Sequence, residues 1–144
     1  MRIVVLSQSR TGNTRRAAEM VGGSAEAAGH EVTVHPVTEP DLNALAEADL
    51  VIIGTWCDGA IFFGHRPGDA RKIKALPKLH GVPVAAYVTY AYHAGKAVNR
   101  FASLLERQGM DVVAIESLRR DLLPAGVDAF VDRAIEAVGQ RSAA

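Results

Sequence analysis

The stretch Ser7-Gln8-Ser9-Arg10-Thr11-Gly12-Asn13-Thr14 joins a compact apolar run, Ile3–Leu6, to a helical pattern. It therefore predicts a turn between a first strand and a first helix. The first turn of a helix has backbone N–H groups without partners and carries partial positive charge. A phosphate bound there accepts hydrogen bonds from those groups and from nearby hydroxyls, and Gly12 allows a close backbone approach. One Ser or Thr alone would indicate an ordinary helix cap, but the whole S-x-S-x-T-G-x-T pattern favours phosphate binding.

Length and composition limit the class of protein. The chain has 144 residues, of which 49% are hydrophobic, and its 16 basic and 16 acidic residues give a formal net charge of zero. We expect one domain over residues 1–144. The charge balance predicts no nucleic-acid partner, and the absence of a long apolar run predicts no membrane partner. A single cysteine, Cys57, excludes an internal disulfide framework, and we expect a cytoplasmic protein.

Strand and helix patterns alternate along the rest of the chain. Apolar runs predict strands over 31–37, 49–54, 82–89 and 111–117. The alternation of apolar and polar residues in 31–37 predicts a half-buried strand near an edge, and the continuous run in 49–54 predicts a central strand covered on both faces. Helical periodicity predicts helices over 14–28, 42–48 and 95–108, and a last helix whose buried face runs from Val127 to Val138. Gly29 and Gly109 mark the expected ends of the first and third of these helices. This alternation predicts an α/β three-layer sandwich with a five-stranded parallel sheet in the order 2-1-3-4-5. In that order a ligand lies at the carboxyl ends of the first, third and fourth strands.

Three segments of distinct composition follow those strand ends, and we expect all three to be loops. Ser7–Thr14 is rich in hydroxyls, Thr55–Gly59 holds the only tryptophan, and Thr89–Gly95 holds two of the three tyrosines. A phosphate-binding segment beside two aromatic segments fits a flat aromatic ligand that carries a phosphate. Stacking on such a ligand contributes about 0.5–1.5 kcal/mol beyond area burial.

With these segments the chain resembles the flavodoxin family, in its short-chain form, over nearly all of its length. The resemblance implies FMN as cofactor, no metal and no catalytic residue. Trp56 matches the aromatic residue on the inner face of the flavin ring. Tyr92 matches the outer one because Gly95-Lys96 follows at the family's spacing, and Tyr90 is the second choice. The FMN-binding residues that the resemblance implies are Ser7, Ser9, Arg10, Thr11, Gly12, Asn13, Thr14, Thr55, Trp56, Cys57, Asp58, Gly59, Thr89, Tyr90, Tyr92, His93 and Gly95.

The resemblance also implies a function. We expect a flavoprotein that shuttles electrons between a flavin- or ferredoxin-type reductase and an acceptor enzyme. We expect it to be a monomer or weak dimer. An NAD(P)H-dependent FMN oxidoreductase of the quinone-reductase type is the alternative. Three features are consistent with this oxidoreductase: Cys57, the neutral charge and the Phe-containing connector over residues 60–79. A flavin-free binding module is the third hypothesis.

Cys57 and the overall charge both depart from the family's pattern, and Arg10 replaces a hydroxyl residue that is common at its position. Cys57 stands where many flavodoxins have a glycine whose peptide turns toward the reduced flavin. If that turn needs a positive φ, a side chain costs about 1 kcal/mol, so we expect the two one-electron potentials to lie closer together. A neighbouring peptide, at Asp58 or Gly59, could serve instead. Carrier flavodoxins are typically acidic; because this chain is neutral, we expect a less negative second potential and weaker steering toward basic partners.

Overall fold

The computed structural model describes residues 1–8, 13–58, 66–67, 73–79, 81–91 and 95–143. Strands and helices alternate through them, as the sequence predicts. The strands are β1 (Arg2–Ser7), β2 (Glu31–Pro36), β3 (Leu50–Asp58), β4 (Arg66–Pro67), β5 (Pro83–Tyr90) and β6 (Asp111–Arg119). The helices are α1 (Asn13–Ala27), α2 (Leu42–Ala46), α3 (Ala97–Arg107) and α4 (Leu123–Ala143), with a 3-10 turn over Arg120–Leu122 before α4.

The five long strands form a parallel sheet in the order β2-β1-β3-β5-β6. This confirms the predicted order 2-1-3-4-5. The remaining strand, β4, has only two residues and pairs antiparallel with the end of β3. No sequence pattern indicated β4, because a two-residue strand is too short to carry a hydrophobic period.

Helices cover both faces of the sheet and give the predicted three layers. On one face α1 and α4 pack against apolar side chains of β1, β3 and β5; on the other, α3, α2 and residues 73–79 do so. Central strand β3 is buried from Leu50 to Thr55, whereas edge strand β2 is largely exposed or half-buried. A central parallel strand that is covered on both faces has a continuous apolar sequence, whereas a half-exposed edge strand alternates apolar and polar residues. The positions of β3 and β2 in the sheet were therefore predictable.

Two helix ends agree with the glycines that the sequence marks as stops. Gly29 follows α1 with φ of 93° and Gly109 follows α3 with φ of 81°. A left-handed residue just past a helix end is most often glycine, because a side chain is disfavoured there. The predicted inward stripe of α4 is also confirmed, since Val127, Phe130, Val131, Ala134 and Val138 are buried.

The predicted ends of two strands are wrong. Thr55–Asp58 continue β3 instead of forming a loop, and Tyr90 is the last residue of β5. Backbone pairing explains the difference: Thr55 and Trp56 pair with β5, and Cys57 and Asp58 pair with β4. Polar or aromatic side chains do not end a strand while its backbone groups still find partners.

Candidate functional site

The register of the sheet brings the three predicted segments to one edge. Ser7, the last residue of β1, lies opposite Gly54 of β3. Two residues further along β3, Trp56 lies opposite Thr89 of β5. The backbone N–H of Gln8 still donates to the carbonyl of Gly54 at 2.9 Å. The chain therefore leaves β1 directly beside β3, at the carboxyl edge of the sheet.

Strands β3 and β5 stop pairing with one another at this edge. Their last pair is Trp56 with Thr89. Beyond it β3 pairs with β4, whereas β5 stays with β6 through the pair of Tyr90 and Arg119. We refer to the place between Trp56 and Tyr90, where the two strands separate, as the strand opening.

One aromatic side chain points to each side of the strand opening. Leu50 and Ile52 pack toward α1 and α4, and side chains alternate along a strand, so Trp56 points toward the same face. Val88 packs toward α3, so Tyr90 points to the opposite face. Both aromatic residues are half-buried, which leaves part of each ring accessible to a ligand.

Buried hydroxyl residues lie beside the strand opening. Thr55 and Thr89 are both fully buried, and Ser7 is 5% exposed. The hydroxyl of Thr89 donates to the carbonyl of Thr55 at 3.5 Å. Buried polar groups in proteins are almost always hydrogen-bonded. These three hydroxyl residues lie at the ends of neighbouring strands, and they distinguish this edge from the apolar middle of the sheet.

Tyr87 packs directly below this edge and is not among the predicted site residues. It lies opposite Gly54, and a Cβ built on Gly54 would sit 1.9 Å from Cζ of the tyrosine ring. The ring is fully buried and meets Phe130 of α4 edge-on at 5.8 Å. Desolvation raises the pKa of the Tyr87 hydroxyl far above its usual range. A glycine within an apolar strand was the one signal in the sequence that could have indicated this close approach.

Helix α1 begins at Asn13, five residues after the last described residue of the β1 end, Gln8. Because the helix follows the carboxyl end of β1, its N-terminus faces the same edge as the strand opening. Gly95, just before α3, has φ of 54°. The backbone of Asn13 and Thr14 opens α1, and the backbone of Cys57 and Asp58 ends β3. The predicted residues Ser9, Arg10, Thr11, Gly12, Gly59, Tyr92 and His93, and most of the connector over 60–79, lie outside the described residues.

A cavity of about 500 Å³ lies at the amino edge of the sheet, opposite the strand opening. Met1, Asp49, Val82 and Arg141 are among its lining residues. It brings together none of the predicted site residues. Within the described ranges, no three His, Cys, Asp or Glu side chains cluster as metal ligands do. No helix there combines the length and the apolar character that crossing a bilayer requires.

The fold and the converging strand ends define an open α/β protein. Its topological switch point, where the chain crosses from β1 to either side, is the position at which proteins of this fold class bind ligands. The family model described as Flavodoxin matches residues 5–128. The chain therefore belongs to the flavodoxin family. Membership implies a flavin cofactor, typically FMN.

Solved structures share the whole fold. The two-electron reduced flavodoxin of Megasphaera elsdenii is 19% identical, with 95% of this chain and 98% of that chain covered and a TM-score of 0.72. Oxidised flavodoxin 2 of Bacillus cereus is 23% identical, with 94% and 99% covered and a TM-score of 0.71. At such identities the likeness shows the fold alone.

A larger protein contains the same fold as one part. The rubredoxin oxygen:oxidoreductase of Desulfovibrio gigas is 18% identical, and the match covers 99% of this chain but 37% of that one, with a TM-score of 0.68. No curated protein matches the chain in sequence.

Proposed function

We propose that the chain binds one FMN at the carboxyl edge of its sheet and transfers electrons between a reductase and an acceptor enzyme. The observation that carries this proposal is the strand opening beside the N-terminus of α1. An aromatic side chain points to each side of the opening. A flat ring fits between such side chains, and a phosphate fits the helix terminus.

The residues at this edge match the two chemical parts of FMN. The phosphate would be held by Ser7 and by the segment Ser9–Thr14, through hydroxyls and the N–H groups that open α1. The ring would lie against Trp56 on one side and against Tyr92, or else Tyr90, on the other. The remaining residues proposed to line the ring are Thr55, Cys57, Asp58, Gly59, Thr89, His93 and Gly95.

FMN supplies the redox chemistry when bound, and the chain supplies position and electrostatics. Trp56 and the tyrosine would fix the plane of the ring and exclude water from its faces. Thr55 and Thr89 are fully buried, so their groups would be oriented before the ligand arrives. A preoriented site loses less entropy on binding than one that must order its side chains.

The names of similar structures support the same class of function. The matched proteins of Megasphaera elsdenii and Bacillus cereus are named flavodoxins, and the Desulfovibrio gigas protein is named a rubredoxin oxygen:oxidoreductase. We extend electron transfer from these names to this chain. We further propose that it acts in the cytoplasm as a monomer or weak dimer, with proteins rather than nucleic acid or membranes as partners.

Titration of the apoprotein with FMN tests the cofactor. Trp56 is the only tryptophan, so its fluorescence reports on this one site. We expect quenching that saturates at one FMN per chain. Unchanged tryptophan fluorescence, with FMN still free after gel filtration, would overturn the proposal.

A second assay separates the carrier from a stand-alone enzyme. We expect the flavin-loaded protein, mixed with NADPH and a quinone, to turn over only after a separate flavin- or ferredoxin-type reductase is added. Rapid NADPH oxidation without that reductase would instead favour the NAD(P)H-dependent FMN oxidoreductase.

A further inference from the structure

The zero net charge conceals an uneven distribution of charge. At the amino edge of the sheet, basic groups lie beside carboxylates. The guanidinium of Arg2 lies 2.8 Å from Glu47 and 3.6 Å from Glu31, and Arg141 pairs with Asp111. These pairs cancel most of the field that each charge would produce at a distance.

At the carboxyl edge the arrangement is different. Arg15 and Arg16 lie in the first turns of α1, and Lys96 immediately precedes α3. All three side chains are exposed. In the part of the chain that the structure describes, no carboxylate forms an ion pair with any of them. Their charge is therefore available to a partner.

Two more cations adjoin the strand opening. Arg119 ends β6 directly opposite Tyr90, and cross-strand neighbours lie within reach of one another. Arg119 pairs with Asp121 at 2.9 Å, in a bridge whose side chains are 50% and 62% exposed. Arg120 follows and adds a charge that this bridge does not cancel. An exposed pair of this kind is weak, so Arg119 can also contact a partner.

Exposed Glu19 lies one turn after Arg15 on α1, but no ion pair joins the two in the part of the chain that the structure describes. Two further carboxylates lie to one side of this surface. Glu39 and Asp41 follow β2, which is the outermost strand, with β1 between it and β3. A carboxylate oxygen of Asp41 accepts backbone hydrogen bonds from Asn43 and Ala44 at the start of α2. Glu39 and Asp41 stand away from β5 and β6, so of the described carboxylates it is Asp121 that offsets the charges of Arg119 and Arg120 beside Tyr90.

We propose that the basic rim, defined as Arg15, Arg16, Lys96, Arg119 and Arg120, docks a redox partner protein through an acidic surface on that partner. The proposal rests on the proposed function and specifies its partner. Complementary charge raises association rates and selects the orientation in which two proteins meet. An acidic partner would thus be guided toward the edge at which the strand opening lies, where a bound ring would be reached over a short distance.

The charge pattern favours a protein over a nucleic acid as this partner. Nucleic-acid binding draws on many cations along a continuous track. The basic rim is instead divided among α1, α3 and the end of β6. With zero net charge, the molecule offers a polyanion little attraction beyond about 8 Å at physiological salt.

Docking is tested with two protein probes of opposite charge. Zinc-substituted rubredoxin is small and acidic, and cytochrome c is basic. Each is titrated into the full ¹⁵N-labelled chain at low salt, with and without FMN. We expect rubredoxin to shift amide signals around Lys96 and Arg119, and the shifts to vanish at high salt. Shifts confined to the amino edge, no shifts, or tighter binding of cytochrome c would overturn the proposal.

A pair of variants with the same charge change locates the effect. We expect Lys96→Glu to weaken rubredoxin binding about three- to tenfold, and we expect Lys78→Glu, an exposed lysine on the segment leading to β5, to leave it unchanged. Equal weakening by both would contradict a local surface. A DNA oligonucleotide that binds the rim more tightly than rubredoxin would also overturn the proposal. Because the amide shifts do not require a flavin, failure of docking and failure of FMN binding are read separately.

Discussion

The ring of Tyr87 lies across the backbone of Gly54, so close that a Cβ there would be 1.9 Å from Cζ and 2.2 Å from the hydroxyl oxygen. The two residues are neighbours between β3 and β5. Gly54 is in turn the last partner of β1, opposite Ser7. The contact therefore supports the sheet directly beneath the strand ends that form the candidate site.

Gly54→Ala is expected to destabilise the protein by at least about 2 kcal/mol, because the new methyl group must displace a buried ring. Urea unfolding followed by circular dichroism measures the change. The matched control is Gly23→Ala on α1, where an added Cβ meets nothing within 4 Å. This control should raise stability by about 0.5–1 kcal/mol. Equal stability of Gly54→Ala and the unchanged protein would contradict the close contact.

Tyr87 should make stability depend on pH in alkaline solution. Burial raises its pKa in the folded state, so above the unfolded value of about 10 only the unfolded chain loses this proton. Stability is then fully present below about pH 10 and falls as pH rises, by about 1.4 kcal/mol per pH unit. Ultraviolet titration should show one of the three tyrosines ionising only as the protein unfolds. Tyr87→Phe should remove that step, and its persistence in Tyr87→Phe would contradict the assignment.

Trp56→Ala should weaken FMN binding about two- to tenfold, the range expected for losing one stacked aromatic contact. Trp56→Phe should retain most of the affinity, because it keeps a ring at the strand opening. Both constants can be read from flavin fluorescence, which does not depend on the tryptophan. Unchanged affinity in Trp56→Ala would place the ring elsewhere.

Lys96→Glu should make the second reduction potential of the bound flavin more negative, because a nearby cation favours the anionic reduced form. Reversing a unit charge about 10 Å away in a water-like dielectric changes the free energy by about 0.8 kcal/mol. A spectroscopic redox titration at low salt measures the shift, and high salt should reduce it. Lys78→Glu is the control; an identical shift in both variants would mean that net charge alone is responsible.

Cys57→Gly should move the two one-electron potentials further apart, by about 1 kcal/mol. Cys57 and Asp58 are held in strand pairing with Pro67 and Arg66, so turning the peptide at this position must break part of that pairing. Cys57→Ser keeps the Cβ and removes only the thiol, and it should behave like the unchanged protein. If Cys57→Ser and Cys57→Gly shift the potentials equally, the sulfur and not the backbone determines how far apart the two one-electron potentials lie.

Local sequence patterns were sufficient for much of the architecture. The run Leu50–Ile53 predicted a covered central strand, and the alternation around Val32 and Val34 predicted an edge strand. Gly29 and Gly109 marked helix ends. Each of these signals depends on residues a few positions apart in the chain, so it can be read without knowing what packs against it. The order of the strands followed from the same alternation together with the handedness of crossovers.

What the sequence by itself determined, then, was the parallel sheet, its order and the edge at which three polar and aromatic segments meet. Only the tertiary structure decided that β3 runs on to Asp58 and that Tyr87 covers Gly54. It also decided that, among the described residues, Lys96 at the carboxyl edge has no ion pair whereas Arg2 at the amino edge has two. Each of these depends on contacts between residues distant in the chain, made only once the strands lie side by side. That packing determines which strand pairs with Trp56, how much space is left above Gly54 and which group lies beside each charge.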